Sequence, residues 1–128
     1  MSTATVQESA VSIDLDPMSL ASLGDLLDHD LAAWNELLQT QLSNSARLAS
    51  ELRSAFEVSD WFTLERAAHT LKSSSALFGA HKLAQQCQVV ELAAHHKLTA
   101  TLADQTAELL TLFAQTDAAL RQLVGRVP

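Results

Sequence analysis

The sequence predicts an all-α protein: an antiparallel four-helix bundle with an additional short N-terminal helix. Composition is the first reason. Among 128 residues there are three Gly, two Pro and no Tyr, while Ala, Leu and Gln abound, a mixture of good helix formers with few breakers. Patterning is the second. Apolar residues recur at alternating spacings of four and three along several stretches, the period of a buried helical stripe. The breaks between those stretches are the third: they are short, and short connections make consecutive helices antiparallel neighbours. A hydrophobic fraction of 48% is ample for one globular core and too high for a disordered chain.

In chain order, residues 1–16 are small, polar and mildly acidic without periodicity, and are expected to form a loose tail ahead of a bundle domain over 17–128. Asp16-Pro17 reads as a helix start, a capping carboxylate followed by proline at the first helical position. A short helix over about 17–27 follows, with Gly24 inside it as a potential breaker. Asp28 is the expected cap of a second, long helix over about 30–56. Its stripe is Leu31, Asn35, Leu38, Leu42, Ser45, Ala49, Leu52 and Phe56, with Trp34 at the flank. The turn at Val58-Ser59-Asp60 leads into a third helix over about 60–78, capped by Ser59 or Asp60 and closed by Gly79 as the residue after the C-cap. Leu64, Ala68, Leu71, Ser75 and Phe78 form its stripe, and Trp61 is expected to pack at the bundle end. A fourth helix over about 80–95 turns Leu83, Cys87, Val90 and Ala94 inward. A fifth over about 100–124 carries Leu102, Thr106, Leu109, Phe113, Thr116, Leu120 and Leu123, a four-three pattern sustained for three heptads.

Several functions are excluded by bulk properties. A net charge of −7 argues against a nucleic-acid partner, because phosphate backbones recruit Lys and Arg. No apolar run is long enough to span a membrane. No basic segment followed by an apolar run marks a signal peptide, so a cytoplasmic protein is expected. The single Cys87 excludes an internal disulfide and suits a reducing compartment; its place in the fourth stripe predicts a buried, inert thiol.

The chemistry concentrates in residues 68–80, Ala-His-Thr-Leu-Lys-Ser-Ser-Ser-Ala-Leu-Phe-Gly-Ala. Helix positions three and four apart are neighbours, so His69, Lys72 and Ser73 share a face. At about 100° per residue, His69 lies about 140° from the middle of the buried stripe, Lys72 about 80°, Glu65 about 100°, Ala76 about 120°, Phe62 about 160° and Ser73 about 180°. His69 should therefore face solvent, beside a cation and a small hydroxyl, an arrangement suited to carrying a phosphoryl group. An exposed Phe62 near a reactive group reads as a docking surface. The plain alternative for a lone exposed histidine is a solvated side chain.

This segment resembles the signature of histidine-containing phosphotransfer (HPt) domains, His-x-Leu-Lys-Gly-Ser-x-x-x-x-Gly. His69, Leu71, Lys72, Ser74 and Gly79 match as they stand; Ala67, Ala68 and Leu83 also fit. The likeness extends from about Pro17 onward in helix number and length. Ser73 stands where the family usually has glycine, adding a hydroxymethyl group beside the imidazole. The resemblance implies that His69 takes a phosphoryl group from the aspartyl phosphate of one receiver domain and passes it to another, with Lys72 and Ser73 alongside. It implies partners among the receiver domains of hybrid sensor kinases and response regulators, met through Phe62, Glu65 and Ala76 by a monomer in transient contact. It implies no cofactor of its own, Mg²⁺ being supplied by the receiver.

In some members of that family a carboxylate or carboxamide on the next helix contacts the imidazole, at the place matched here by Glu91, with Gln88 beside it. His69 lies ten residues before Gly79 and Glu91 twelve after it, so an antiparallel hairpin about Gly79 would bring the two level at 1.5 Å per residue. Glu91 would then hold the Nδ1 proton and leave Nε2 as nucleophile; the alternative is a solvated surface carboxylate. No Gly-rich phosphate loop or kinase signature occurs, so self-phosphorylation from ATP is not expected. Two rival readings remain at this level: a catalytically silent adaptor that binds receivers, and a bundle metalloprotein using pairs such as Glu91 and His95, four apart. His29 and His81 stand alone near helix starts and receive no role.

Overall fold

The computed structural model describes residues 13–128, and five helices lie among the described residues: α1 (Pro17–Leu26), α2 (Leu31–Glu57), α3 (Trp61–Leu77), α4 (His81–His95) and α5 (Thr99–Arg121). Among the described residues there is no strand. Residues 1–12, most of the expected tail, lie outside the described residues. Within 13–16, Leu15 packs against the core and the Asp16 N–H donates to the Gly79 carbonyl at 2.9 Å, so the packed domain begins before α1.

The four long helices close into a ring in which α2 packs on α3 and α5, and α4 packs on α3 and α5. The expected stripes fill its centre: Leu52, Leu64, Leu71, Leu83, Val90, Leu102 and Leu109 are all fully buried. Cys87 lies among them, and burial pushes its thiol up to about 12. Burying one leucine side chain is worth about 1.5–3 kcal/mol. Turning α3 by one residue, about 100°, would expose Leu64 and Leu71 together, so the core fixes which face of α3 looks outward.

A second cluster caps one end of the ring, where α1 and the C-terminal turn cover α2. Leu20, Leu23, Leu38, Leu42, Phe78 and Leu120 surround Trp34, which was expected only at the flank of its stripe and is in fact wholly buried. Its indole packs at 6.2 Å from the Phe78 ring, and Nε1 donates to the Leu123 carbonyl at 2.9 Å. The extra layer broadens the buried stripe of α2 into a band. Leu31, expected in that stripe, is exposed because it opens the helix at the end of the bundle. Phe113 and Leu123, placed in the stripe of α5, are half-buried. Trp61 packs against Phe56 at 6.1 Å at the opposite end, as expected.

Local signals set the helix ends. Asp16 caps α1, accepting from the Met18 N–H, and Asp60 caps α3, accepting from the Thr63 N–H. The cap of α2 is Asp30, bonded to the Ala33 N–H, and not Asp28. Asp28 and His29 both take positive φ, with the His29 N–H returning to the Gly24 carbonyl at 2.8 Å, so the chain needs two more residues before α2 can begin. Gly24 does not break α1. A Cβ there would stand 2.6 Å from the Pro128 carbonyl oxygen, so this glycine lets the C-terminal turn approach. Gly79 has φ +78, and the Ala80 and Gly79 N–H groups bond back to Ser75 and Ala76, an αL-terminated helix end. This tight turn makes α3 and α4 a hairpin and fixes their register.

Candidate functional site

His69 is the central residue of the 17-residue α3, eight positions from either end. It sits on the outward face, as the stripe dictated, with 59% of its side chain exposed. Across the hairpin, Glu91 on α4 comes level with it. His69 Nδ1 and Glu91 Oε2 are 2.7 Å apart, and Lys72 Nζ donates to the other oxygen, Oε1, at 2.8 Å. Glu91 thus bridges the imidazole and the ammonium, and is itself only 18% exposed.

The electrostatics fix the protonation pattern. Burial pushes the Glu91 carboxyl up, but the hydrogen bonds and charges of Lys72 and His69 outweigh that, and the group ends below its usual carboxylate range. An ionised carboxylate only accepts hydrogen bonds, so the proton between the two groups belongs to His69 Nδ1. A neutral ring protonated at Nδ1 carries its lone pair on Nε2. Among the described residues Nε2 has no hydrogen-bond partner.

The other residues singled out from the sequence are distributed around this triad. Phe62 is 68% exposed, two turns before His69 on the same face, with the Arg66 guanidinium 5.6 Å from its ring centroid. Glu65 is half-buried and accepts from His95 Nδ1 at 3.0 Å. Ala76 is half-buried, while Ser73 and Gln88 are exposed and make no side-chain hydrogen bond among the described residues. Hydrogen bonds join His69, Lys72 and Glu91; none joins Ser73 or Gln88 to the ring among the described residues. Glu91 and His95 do not form the pair weighed as metal ligands, since His95 turns to Glu65. Among the described residues no group of three or more His, Cys, Asp or Glu is placed to hold a metal ion.

Two features escaped the sequence. One is the Glu65–His95 pair, a second carboxylate–imidazole contact one turn from the first in the same hairpin register. The other is a shallow depression of about 370 Å³ beside the imidazole, lined by Glu65, Arg66, His69, Thr70 and Glu91. Arg66 lies three residues before His69, a spacing that already implied proximity. His81, given no role, bonds Asp16 at 3.1 Å and, with the Met18 and Ser19 contacts, lowers the Asp16 carboxyl, tying α1 to the α3–α4 turn.

A family model described as the Hpt domain matches residues 36–126, the whole span from early α2 to the end of the bundle. The chain belongs to this family. Among solved structures, histidine-containing phosphotransfer protein B from Pseudomonas aeruginosa is similar over 89% of this chain and 96% of its own, with a TM-score of 0.80 and 25% identity. No curated protein matches the chain. The chain is therefore a histidine phosphotransfer protein of two-component phosphorelays, built as the Hpt helical bundle. Hpt proteins work with receiver domains. No helix among the described residues is long and apolar enough to cross a membrane.

Proposed function

We propose that His69 is the phosphoacceptor and that it relays a phosphoryl group between the aspartates of two receiver domains. The observation that carries this reading is the bridge from exposed His69 Nδ1 to Glu91 and on to Lys72, which leaves Nε2 as the free nucleophile. Nε2 attacks the phosphorus of the carboxyl phosphate in line; the P–O bond breaks and the carboxylate leaves with the electron pair. The ring then carries positive charge, which ionised Glu91 stabilises across the 2.7 Å contact. Return transfer reverses these steps on a second aspartate. Lys72 holds Glu91 ionised and oriented. Ser73 and Gln88 border the site, with the Ser73 side chain in the space a family glycine leaves open.

Phe62, Glu65 and Ala76 form the docking face on this reading. A relay must release its partner, so the interface is transient and the protein acts as a monomer. The receiver supplies the Mg²⁺ that offsets phosphoryl charge, and this chain supplies the imidazole. A single buried thiol fits a cytoplasmic setting. Incubation with a phosphorylated receiver tests the reading: an acid-labile, base-stable label should appear on the wild-type protein and not on His69→Gln. Receiver binding without any label would instead identify a silent adaptor.

A further inference from the structure

Two cations stand within one turn of His69 on α3, and they are not equivalent. Lys72, three residues after it, spends its ammonium on Glu91 at 2.8 Å and is 27% exposed. Arg66, three residues before it, is exposed and has no carboxylate partner among the described residues. Its guanidinium rests instead over the Phe62 ring, 5.6 Å from the centroid, a weak contact at an exposed site. A phosphoryl dianion offers a guanidinium much more, through two parallel charge-assisted hydrogen bonds.

The depression beside the imidazole points the same way. Its walls are Glu65, Arg66, His69, Thr70 and Glu91, and Lys72 takes no part in it. Two of those walls are carboxylates, which repel a dianion. Glu65 is bonded to His95, and Glu91 to His69 and Lys72. The remaining charge on the rim is Arg66. A phosphoryl group seated there meets Arg66 before it meets Lys72.

We propose that Arg66 is a further catalytic residue of the transfer, its guanidinium binding the phosphoryl oxygens as the group passes to His69 Nε2, while Lys72 acts as a positioning residue through Glu91. The proposal rests on His69 being the phosphoacceptor. The balance of the step is unchanged: the N–P bond forms as the P–O bond to the donor breaks, the Nδ1 proton stays facing Glu91, and Arg66 neither gains nor loses a proton.

Phosphoramidate tests this without a receiver, transferring its phosphoryl group to Nε2 with ammonia as leaving group. Arg66→Ala should slow labelling of His69 about three- to tenfold, the scale of one solvent-screened charge-assisted contact, and Arg66→Lys should restore part of it. On the phosphorylated protein, ³¹P NMR should show the phosphoryl titration midpoint rising by about half a unit in Arg66→Ala, since a nearby cation favours the dianion. Lys72→Ala should move that midpoint less and alter the pH profile of labelling instead. An unchanged phosphoramidate rate and midpoint in Arg66→Ala would overturn the proposal. So would a defect seen only with a phosphorylated receiver, which would make Arg66 a docking residue, and so would a midpoint that responds to Lys72→Ala alone. Failure of the phosphoacceptor reading is distinguishable, because the wild-type protein itself would then take no label from a phosphorylated receiver.

Discussion

Replacing Glu91 by Gln removes one charge and almost no volume, so the size of the effect can be worked from two hydrogen bonds. Glu91 accepts from His69 at 2.7 Å and from Lys72 at 2.8 Å. A hydrogen bond to a charged group is worth about 1.5–3 kcal/mol. The imidazole is 59% exposed, so solvent screening reduces its share to about 1 kcal/mol. Lost from the transition state, where the ring becomes positive, that amounts to about fivefold in rate. Phosphoramidate labelling of Glu91→Gln should therefore run about fivefold slower than wild type. The ¹⁵N spectrum of the neutral ring should show the proton on Nδ1 in the wild type and a mixture of tautomers in the variant. The stability difference has a defined pH dependence. The Glu91 carboxyl lies below its ordinary value of 4.5, so its stabilising contribution is complete above that pH and disappears as pH falls through the lowered value. Urea melts should show the variant less stable by about 1 kcal/mol at pH 7, with the gap closing as the medium is acidified below 4.5. A wild-type ring protonated on Nε2, or a variant labelled at the wild-type rate, would refute the assignment of Glu91.

Phe62→Ala should weaken receiver binding about five- to thirtyfold by titration, the range of an exposed aromatic anchor, while the melting temperature stays within about 2 °C because the ring is outside the core; a large fall in melting temperature with unchanged binding would make Phe62 structural. Gly79→Ala should cost about 2–4 kcal/mol in chemical denaturation, since φ is +78 and a Cβ would stand 2.8 Å from the Asp16 nitrogen. Trp34→Ala should cost about 3–5 kcal/mol by the same measurement, from the buried indole and its lost bond to Leu123. Cys87 should resist a thiol reagent at pH 8 in the folded protein and react at once in denaturant, because burial pushes the thiol up to about 12.

Most of the fold was legible because the long helices obey one period. The stripes through Leu52, Leu64, Leu71, Leu83, Val90, Leu102 and Leu109 placed the four long helices within a few residues of their observed ends, Asp16-Pro17 marked the start of the short one, and His69 on the outer face followed from the stripe of α3. Where sequence reading failed, a second layer was responsible. Trp34 looks like a flank residue on an isolated helix; α1 and the C-terminal turn make it the centre of a cluster. Asp28 reads as the cap of α2 in the sequence, but the path of the chain after α1, with two residues at positive φ, passes that role to Asp30. The histidine motif and its lysine were readable from spacing, and the level of Glu91 from counting about Gly79. Arg66 was not singled out, although its spacing from His69 was visible, because nothing in one dimension shows which cation is already paired.

By itself the sequence determined the helices, their outward and inward faces, and the exposure of the imidazole, since each depends on neighbours three and four positions away along one chain. Only the tertiary structure decided how the charges pair. Lys72 lies three residues from His69, yet its ammonium goes to Glu91 across the hairpin, and Glu65 goes to His95. Such choices depend on distances of about 3 Å between side chains of different helices, which local periodicity does not encode. They leave His69 Nε2 without a hydrogen-bond partner and Arg66 without a carboxylate among the described residues, the two features on which the proposed transfer rests.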